Sequence, residues 1–263
     1  MDHQQKMSRR GFLQGSSAIG VAALTSAHSG IQGAETTKNG PSFQVVQCWD
    51  DGVHNDVRLV ELLKKYKAKA TFNINPGIAA IDSNRRPTWI YKERFKVERL
   101  GIDEMKDLYK GFTLAGHSMT HPNLTKLDQG TLSAELQECK DILREEFSQL
   151  RCGFAYPFGA YDAKVQEALK KSGYVYARTV SNISGPLPLD SPLALPTHGH
   201  FMMKDFWTRY EDIRTTGGVF YFWGHSYEMM DEPSLWDDFE EKLARISADS
   251  RAKWADVIDL FPT

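Results

Sequence analysis

SFQVVQCWDDG, residues 42–52, decides the fold, because an apolar run ends there on two adjacent carboxylates. Aspartate is depleted in strands and adjacent like charges repel, so a strand that ends on Asp50 and Asp51 needs an explanation. The pair Asp51-Gly52 is a common hairpin turn. The alternative is a strand end at which one carboxylate binds a metal ion and the other moves a proton. We take the second interpretation, because chemically active residues also follow other predicted strands.

The composition is that of an ordinary globular protein. The 263 residues suffice for one large α/β domain, and the hydrophobic share of 41% and charged share of 25% are typical. A formal net charge of -2 gives no reason to expect nucleic acid or an anionic membrane as a partner. Three cysteines do not make a disulfide framework, and both a Cys139–Cys152 pair and free buried thiols remain open.

The N-terminus predicts an export signal. Arg9 and Arg10 precede an apolar stretch rich in alanine and glycine in MSRRGFLQGSSAIGVAALTSA, residues 7–27. SRRGFLQ resembles the twin-arginine consensus of bacteria. We therefore expect a signal peptide at 1–34, a single catalytic domain at 35–263, and a periplasmic or extracellular protein without membrane association after cleavage. The oligomeric state stays open.

Apolar strands and amphipathic helices alternate after this segment. The predicted strands lie in SFQVVQCW, KATFNINPG, FTLAGHSMTH, CGFAYPFG, YVYARTV, ALPTHGH and GGVFYFWGHS. Such alternation is typical of parallel strands covered by helices. We predict an α/β fold, a distorted (β/α) barrel with about seven parallel strands. The stretch from 78 to 101 has no clear period and is predicted to be an inserted loop.

Polar residues collect where the predicted strands end. Asp50 and Asp51 follow the first strand, HSMTH (117–121) the third, YPFG (156–159) the fourth, and His225 the last. In α/β barrels the carboxyl ends of the strands form the face on which active sites are assembled. Turn chemistry alone does not explain why so many such residues would reach one rim.

The histidines of HSMTH, His117 and His121, are four residues apart. In a helix this spacing places both imidazoles on one face, where they can chelate one metal ion. The spacing alone is a weak signal, since most histidine pairs of this kind are ordinary surface or core residues. A carboxylate from another strand end would complete a two-histidine, one-carboxylate site of the kind that Zn²⁺ takes in catalytic sites.

Jointly, these stretches resemble the polysaccharide deacetylases, carbohydrate esterases with the NodB-homology fold. The family's Thr-Phe-Asp-Asp-Gly, His-Ser/Thr-x-x-His, Pro-Tyr/Phe-Gly and catalytic-histidine motifs are matched in order by CWDDG (48–52), HSMTH, YPFG and FWGH (222–225). The order and approximate spacing agree from residue 43 to about residue 228. Each motif is modest alone, but the ordered set is specific, and the chain is identified as a divergent member of this family.

The resemblance implies a metal-dependent hydrolase that removes N-acetyl groups from an amino-sugar polysaccharide or oligosaccharide. It implies that Asp51, His117 and His121 bind Zn²⁺ or another divalent transition metal. Asp50 is then the general base for the metal-activated water, and His225 is the general acid that protonates the leaving amine.

The third motif is implied to contact the oxyanion and the substrate. Its residues are Tyr156, Pro157, Phe158 and Gly159, with a backbone N–H near Tyr156 as the oxyanion donor. Ser118 is expected to support its loop through hydrogen bonds.

The chain departs from the family pattern in two places. Ala155 stands where many relatives have an arginine that orients the catalytic aspartate. Arg178, at the end of the next strand, is the candidate replacement, whereas Arg151 is expected at the opposite end of its own strand. The fourth motif, an aspartate and tryptophan pair that tunes the catalytic histidine, has no evident match.

Three residues are candidates for the missing support. His198 and His200 either face the cleft or lie at a strand end bonded to solvent, and Glu228 either orients an imidazole or is a solvated surface acid. Trp223 would suit stacking against a sugar ring, but core packing is the expected role of this strand residue. The inserted loop near Trp89 and Tyr91 could shape a subsite, where its aromatic residues would suit the same stacking.

Two other functions remain open. The same site would serve an O-acetyl esterase on acetylated polysaccharide, or an amidase on a non-carbohydrate substrate. Esters depend less on a general acid, so loss of His225 would affect an esterase less. The other possibility, a carbohydrate-binding protein with a vestigial site, is disfavoured because all five residues assigned to metal binding and proton transfer are present.

Overall fold

The structure is a computed structural model that describes residues 40–82, 84 and 86–262; the predicted signal peptide lies outside them. Its strands are β1 (Phe43–Asp50), β2 (Thr71–Ile74), β3 (Thr88–Tyr91), β4 (Phe95–Glu98), β5 (Thr113–Gly116), β6 (Phe154–Ala155), β7 (Ala177–Asn182), β8 (Leu195–Thr197), β9 (Gly199–His200), β10 (Gly218–Gly224) and β11 (Ala252–Trp254). Its helices are α1 (Asp56–Lys65), α2 (Ile102–Leu108), α3 (Gln129–Phe147), α4 (Ala163–Lys171), α5 (Phe206–Thr216) and α6 (Leu235–Ala248). In this part of the chain, no helix is long and apolar enough to cross a membrane.

The described residues form an α/β barrel, as predicted. Nine of their strands make one parallel sheet in the order β8-β7-β6-β5-β2-β1-β10-β9, with β11 paired to the start of β1. The two ends of this order, β8 and β9, are separated in the chain by His198 alone. The amide of Ile183 donates to Thr197 at 2.9 Å, and the amide of His198 donates to Tyr221 at 2.7 Å, so the sheet edges meet.

The difference between about seven predicted strands and nine has two local causes. ALPTHGH, predicted as one strand, is divided at His198 into β8, which pairs with β7, and β9, which pairs with β10. β11, which lies near the C-terminus, is only three residues long and pairs with the first residues of β1. A strand this short leaves no periodic pattern in the sequence.

β1 is an apolar run because both of its faces are buried. Val45 and Trp49 belong to one hydrophobic cluster, and Val46 and Cys48 belong to another on the opposite face. Burial on both faces is what makes a strand of a parallel sheet read as continuously apolar. All three cysteines of the chain are buried free thiols.

The stretch 78–101 was predicted to be an inserted loop. It instead contains an antiparallel hairpin of β3 and β4. Trp89 and Tyr91 project to the same side of β3 and contact the Tyr227 ring, with centroids 5.4 and 5.0 Å away. The sequence did not reveal these four-residue strands because their inner face packs on a residue more than a hundred positions away.

Candidate active site

The predicted strand-end residues converge at one rim of the barrel. They surround a cavity of 270 Å³. Asp50, Asp51, His117, His121 and His225 all line it, although they come from β1, the loop after β5 and the end of β10. Asp50 and Asp51 therefore lie at a strand end that faces a cavity, and not in a hairpin turn.

Asp50 is a buried and tightly bound carboxylate. The register of β1 and β2 places it opposite Asn73, whose Nδ2 donates to Asp50 Oδ1 at 2.7 Å. The Arg178 guanidinium donates to Oδ2. Burial raises the pKa of Asp50, but Arg178 and the nearby imidazoles of His117 and His225 outweigh burial and hold this pKa below its usual range. Asp50 is therefore ionised, and each of its two carboxylate oxygens is held by a hydrogen bond.

Arg178 takes the place of the arginine that the third motif lacks. Ala155 on β6 and Arg178 on β7 are direct partners in the sheet, so the guanidinium comes from the neighbouring strand at the same level. The guanidinium lies 4.6 Å over the Trp223 ring. Trp223 was expected to pack in the core, but it also lines the cavity. Arg151 lies elsewhere, where it donates to the carbonyl of Phe261.

Asp51, His117 and His121 each bring one ligand atom to within 4.8 Å of the other two. His117 Nδ1 lies 2.7 Å from the carbonyl of Ala155 and donates to it, which leaves Nε2 free as a ligand atom. Burial lowers the pKa of His117 to about 4, so this imidazole is neutral. Burial also lowers the pKa of His121 from its usual value. One carboxylate with two imidazoles that are neutral at pH 7 is a donor set that Zn²⁺ takes in catalytic sites, and these residues fit a divalent transition metal.

The two histidines converge from the loop that follows β5, and not from a helix. β5 ends at Gly116, and Ser118 and His121 both have positive φ angles, 64° and 60°. Ser118 Oγ accepts a hydrogen bond from the His121 amide at 3.0 Å. Glu135, on α3, accepts from both the amide and the hydroxyl of Thr120, at 2.9 and 2.5 Å. These contacts reverse the chain direction and bring the imidazole rings 4.8 Å apart.

Two buried polar residues outside the predicted set, Asn75 and Arg99, connect the loops that contain the candidate metal ligands. Asn75 Nδ2 donates to the carbonyls of His117 and Ser118. Arg99 Nη1 donates to Asn75 Oδ1 at 3.1 Å and to the carbonyl of Asp51. The available signal was the alternation of asparagine with apolar residues in FNIN, because a buried strand contains polar residues only when they have partners.

His225 faces the two aspartates from the opposite wall. Its Nε2 lies 3.8 Å from Asp50 Oδ2 and 3.9 Å from Asp51 Oδ2. Its Nδ1 lies 3.2 Å from Glu228 Oε2, and the same oxygen accepts the His225 amide at 3.0 Å. Burial lowers the pKa of His225, but Glu228 and the two aspartates outweigh burial and raise it to about 9. This side chain is therefore the cationic imidazolium at neutral pH.

Glu228 has a second partner in His200, whose Nε2 lies 2.7 Å from Oε2. The amide of Met202 donates to His200 Nδ1 at 3.4 Å, which leaves Nε2 as the donor to Glu228. The Trp223 ring meets the edges of both imidazoles, with centroids 4.9 Å from His200 and 5.5 Å from His225. A carboxylate and an indole thus flank His225. These are the two side-chain types that the missing fourth motif would supply.

His198 does not join this group. Its Nε2 lies 2.9 Å from the carbonyl of Gly185, and its Nδ1 accepts the amide of Tyr221 at 3.0 Å. The side chain is 1% exposed and satisfies backbone groups between strands. Of the two histidines in LPTHGH, only His200 reaches the site.

Of the backbone N–H groups near Tyr156, that of Tyr156 itself is already bonded, whereas that of Phe158 is available. The Tyr156 amide donates to the carbonyl of Arg178 at 3.1 Å and is therefore committed to the sheet. Pro157 opens a 3-10 turn in which Phe158 has a φ of 58°. The Phe158 amide hydrogen bonds with no other described residue, and the side chain is 68% exposed at the cavity mouth.

Gly159 is required by the same turn. Its φ is 67°, and a Cβ atom built on it would lie 2.4 Å from the side chain of Val180. A larger residue would strain the backbone and displace the cavity wall.

A sequence comparison identifies the family. The sequence profile named polysaccharide deacetylase matches residues 37–177, just over half of the chain. The chain therefore belongs to the polysaccharide deacetylase family. The match covers Asp50 and the candidate metal-binding group of Asp51, His117 and His121, and it ends before Arg178 and His225. Comparison with curated proteins found no match.

Solved structures share the fold at low sequence identity. A putative polysaccharide deacetylase from Mycobacterium smegmatis is 14% identical with a TM-score of 0.61, covering 85% of this chain and 90% of that one. A family 4 carbohydrate esterase from Bacillus anthracis is 15% identical with a TM-score of 0.52, covering 83% and 82%. A Streptococcus pyogenes deacetylase in complex with acetate is 24% identical with a TM-score of 0.47 over 57% of this chain, and the chain spans only 61% of its length.

Proposed function

We propose that the protein is a metal-dependent hydrolase that removes N-acetyl groups from an amino-sugar polysaccharide or oligosaccharide. One observation carries this proposal. Two adjacent carboxylates have separate environments: Asp51 lies with the two neutral imidazoles, while Asp50 is bound by Arg178 and Asn73. This separation suits one carboxylate to bind a metal ion and the other to move a proton.

Asp51, His117 and His121 would bind Zn²⁺ or another divalent transition metal. When bound, such an ion supplies a Lewis acid that acidifies water and polarises a carbonyl oxygen. The hydrogen bonds of Arg99 and Asn75 fix the Asp51 turn and the histidine loop relative to each other. The ligand atoms are thus oriented by buried polar contacts.

Asp50 accepts the proton of the attacking water. Its hydrogen bonds with Arg178 and Asn73 keep the carboxylate from turning away from the cavity. The low pKa of Asp50 keeps this carboxylate ionised at neutral pH, which is the form that can accept a proton. The developing oxyanion can accept a hydrogen bond from the free amide of Phe158.

His225 protonates the leaving amine. An amine leaves poorly until it is protonated, so amide cleavage needs an acid on the side of the leaving group. His225 lies across the cavity from the metal-binding group and receives support from Glu228 on its Nδ1 side.

We also propose that residues 1–34 direct export through the twin-arginine route, which would place the enzyme where extracellular or periplasmic saccharides occur. The paired arginines and the apolar stretch of the sequence support this proposal.

Acetate release from N-acetylglucosamine oligomers and from acetylated xylan, measured in parallel, tests the proposed function. We expect release from the oligomers at a rate well above that of an Asp50→Asn blank. Release from xylan alone would instead assign an O-acetyl esterase. A protein that binds metal and saccharide but releases acetate from neither would contradict hydrolysis.

Changing Glu228 to glutamine is expected to lower kcat for amide cleavage by about 10–100-fold, the usual cost of losing an orienting carboxylate. Because Glu228 acts through His225, cleavage of 4-nitrophenyl acetate, whose leaving group needs no proton, is expected to fall much less. Glu232→Gln, the same change at an exposed position nearby, is the control. In a His225→Ala background Glu228→Gln should have no further effect on amide cleavage, and additive losses would contradict the coupling.

A further inference from the structure

Asp56 is a buried carboxyl group that no step of the proposed mechanism uses. It is the first residue of α1 and is 0% exposed. Burial raises the pKa of Asp56 to about 7, although three hydrogen bonds act in the opposite direction. A helix can begin on an exposed residue at lower cost, because burying a carboxyl group removes it from water. The burial of Asp56 therefore indicates a role beyond starting the helix.

The carboxylate of Asp56 joins three segments that are distant along the chain. Its Oδ1 accepts a hydrogen bond from the Ser226 hydroxyl at 2.5 Å. Its Oδ2 accepts one from the Tyr109 hydroxyl at 2.5 Å and another from the amide of Val53 at 3.1 Å. Val53 belongs to the turn after the two aspartates, and Ser226 directly follows His225. One carboxylate thus connects the turn on the metal-binding side with the turn that carries the proposed acid.

The sheet does not extend far enough to fix these two turns to each other. The pairing of β1 with β10 ends at Trp49 and Gly224, one residue before His225. Beyond this point Val53 and Tyr227 belong to one hydrophobic cluster, which brings the two turns together. Apolar contacts are non-directional, whereas hydrogen bonds to both oxygens of one carboxylate have a defined geometry. The shared carboxylate therefore sets the relative position of the turns.

Glu228 does not replace this link. It lies three residues after His225, so its contacts with the His225 ring and amide orient the imidazole within that turn. Its other partner, His200, lies on β9, which flanks β10 on the side opposite to β1. Neither contact sets the separation between His225 Nε2 and Asp51 Oδ2, which is 3.9 Å. A misplacement of about 1 Å can cost about 100-fold in rate, so fixing the turn is a separate requirement of proton transfer.

We propose that Asp56 is a positioning residue that, through Ser226, holds the general acid His225 at its working distance from the metal-binding residues. This inference rests on the proposed function, because that function assigns the acid to His225. Asp56 does not line the catalytic cavity, so it acts on the reaction only through its neighbours. Loss of the link lowers the rate of cleavage that needs the acid and spares cleavage that does not.

Two variants separate the contacts of Asp56. Ser226→Ala removes the hydroxyl next to the acid, and Tyr109→Phe removes the hydroxyl that joins Asp56 to the end of α2. Each variant loses one buried hydroxyl and leaves the carboxylate two donors, so both are expected to lower Tm by similar amounts. Rates are compared at about pH 8, above the pKa of Asp56 of about 7 and below that of His225 of about 9.

Ser226→Ala is expected to lower kcat for acetate release from N-acetylglucosamine oligomers by about tenfold or more, while KM stays within about twofold. Cleavage of 4-nitrophenyl acetate, whose leaving group needs no proton, should fall much less. Tyr109→Phe should keep both rates near those of the unaltered protein. Equal losses on the amide and the ester, equal losses in the two variants, or no loss in Ser226→Ala would overturn the proposal.

Failure of the proposed function is distinguishable from failure of this link. If no saccharide is deacetylated, crystal structures of the unaltered protein and the two variants replace the kinetics. A His225 imidazole that moves away from Asp51 by about 1 Å or more in Ser226→Ala, but keeps its place in Tyr109→Phe, would support the link without the activity. An imidazole that keeps its place in both variants, or moves equally in both, would overturn it.

Discussion

Asp50→Asn is expected to lower kcat for acetate release by about 10²–10⁴-fold while the metal content stays unchanged. Asparagine has nearly the same shape, so it still fits between Asn73 and Arg178, but it cannot accept the proton of the attacking water. Metal content is unaffected because the ligands assigned here are Asp51 and two histidines. Steady-state kinetics and metal analysis on the same preparation check both parts.

The same substitution is expected to destabilise the fold, since the Arg178 guanidinium is 1% exposed and loses its charged partner. Leaving a buried charge unpaired costs about 3–5 kcal/mol. Asp50→Asn combined with Arg178→Met removes both charges and should recover much of the free energy of unfolding without recovering activity. An Asp50→Asn protein that keeps more than a tenth of the activity would contradict the role of Asp50 as the base.

His121→Ala is expected to abolish both stable metal binding and acetate release. Only Asp51 and His117 would remain as protein ligands, and catalytic Zn²⁺ sites commonly use three. The loss of metal affinity should exceed the about 10–100-fold effect of removing an outer hydrogen-bond partner. Equilibrium dialysis against Zn²⁺, followed by elemental analysis, measures it.

Two other histidines provide the controls for this prediction. His54→Ala removes an exposed imidazole near the same rim and should change nothing. His200→Ala tests the second group, since His200, His225 and Glu228 also bring ligand atoms within 4.8 Å of one another. We expect one metal ion per chain in both controls. Full metal content in His121→Ala would contradict the assigned ligand set.

The sequence predicted the barrel and the main site residues because these depend on patterns visible along the chain. Asp50 and Asp51 end an apolar run, and the other motif residues follow runs of the same kind. Parallel strands place their carboxyl ends together, so their convergence followed from the fold class. Arg178 was identified as a candidate for the same reason, since it lies near the end of the next strand.

Other features depend on contacts between distant segments. His198 lies at the break between β8 and β9 and contacts the backbone between strands, whereas His200 lies in β9 and reaches Glu228. The amide of Tyr156 was unusable as an oxyanion donor only because β7 pairs with it. Local sequence does not encode such partners.

The supporting polar residues were missed for a related reason. Asn75 and Arg99 meet only because the inserted hairpin returns its last residue to the end of β1. Glu135 lies on α3 among helical residues, and its link to Thr120 appears only when that helix packs beside the histidine loop. A buried polar residue is a visible signal in a sequence, but its partner is not.

The most direct test of a metal-dependent deacetylase is acetate release from N-acetylglucosamine oligomers by one preparation, measured after chelation and again after Zn²⁺ is restored. We expect release to stop when the metal is removed and to return with one equivalent of Zn²⁺ per chain. Release that continues undiminished in the chelated, metal-free protein would contradict metal dependence.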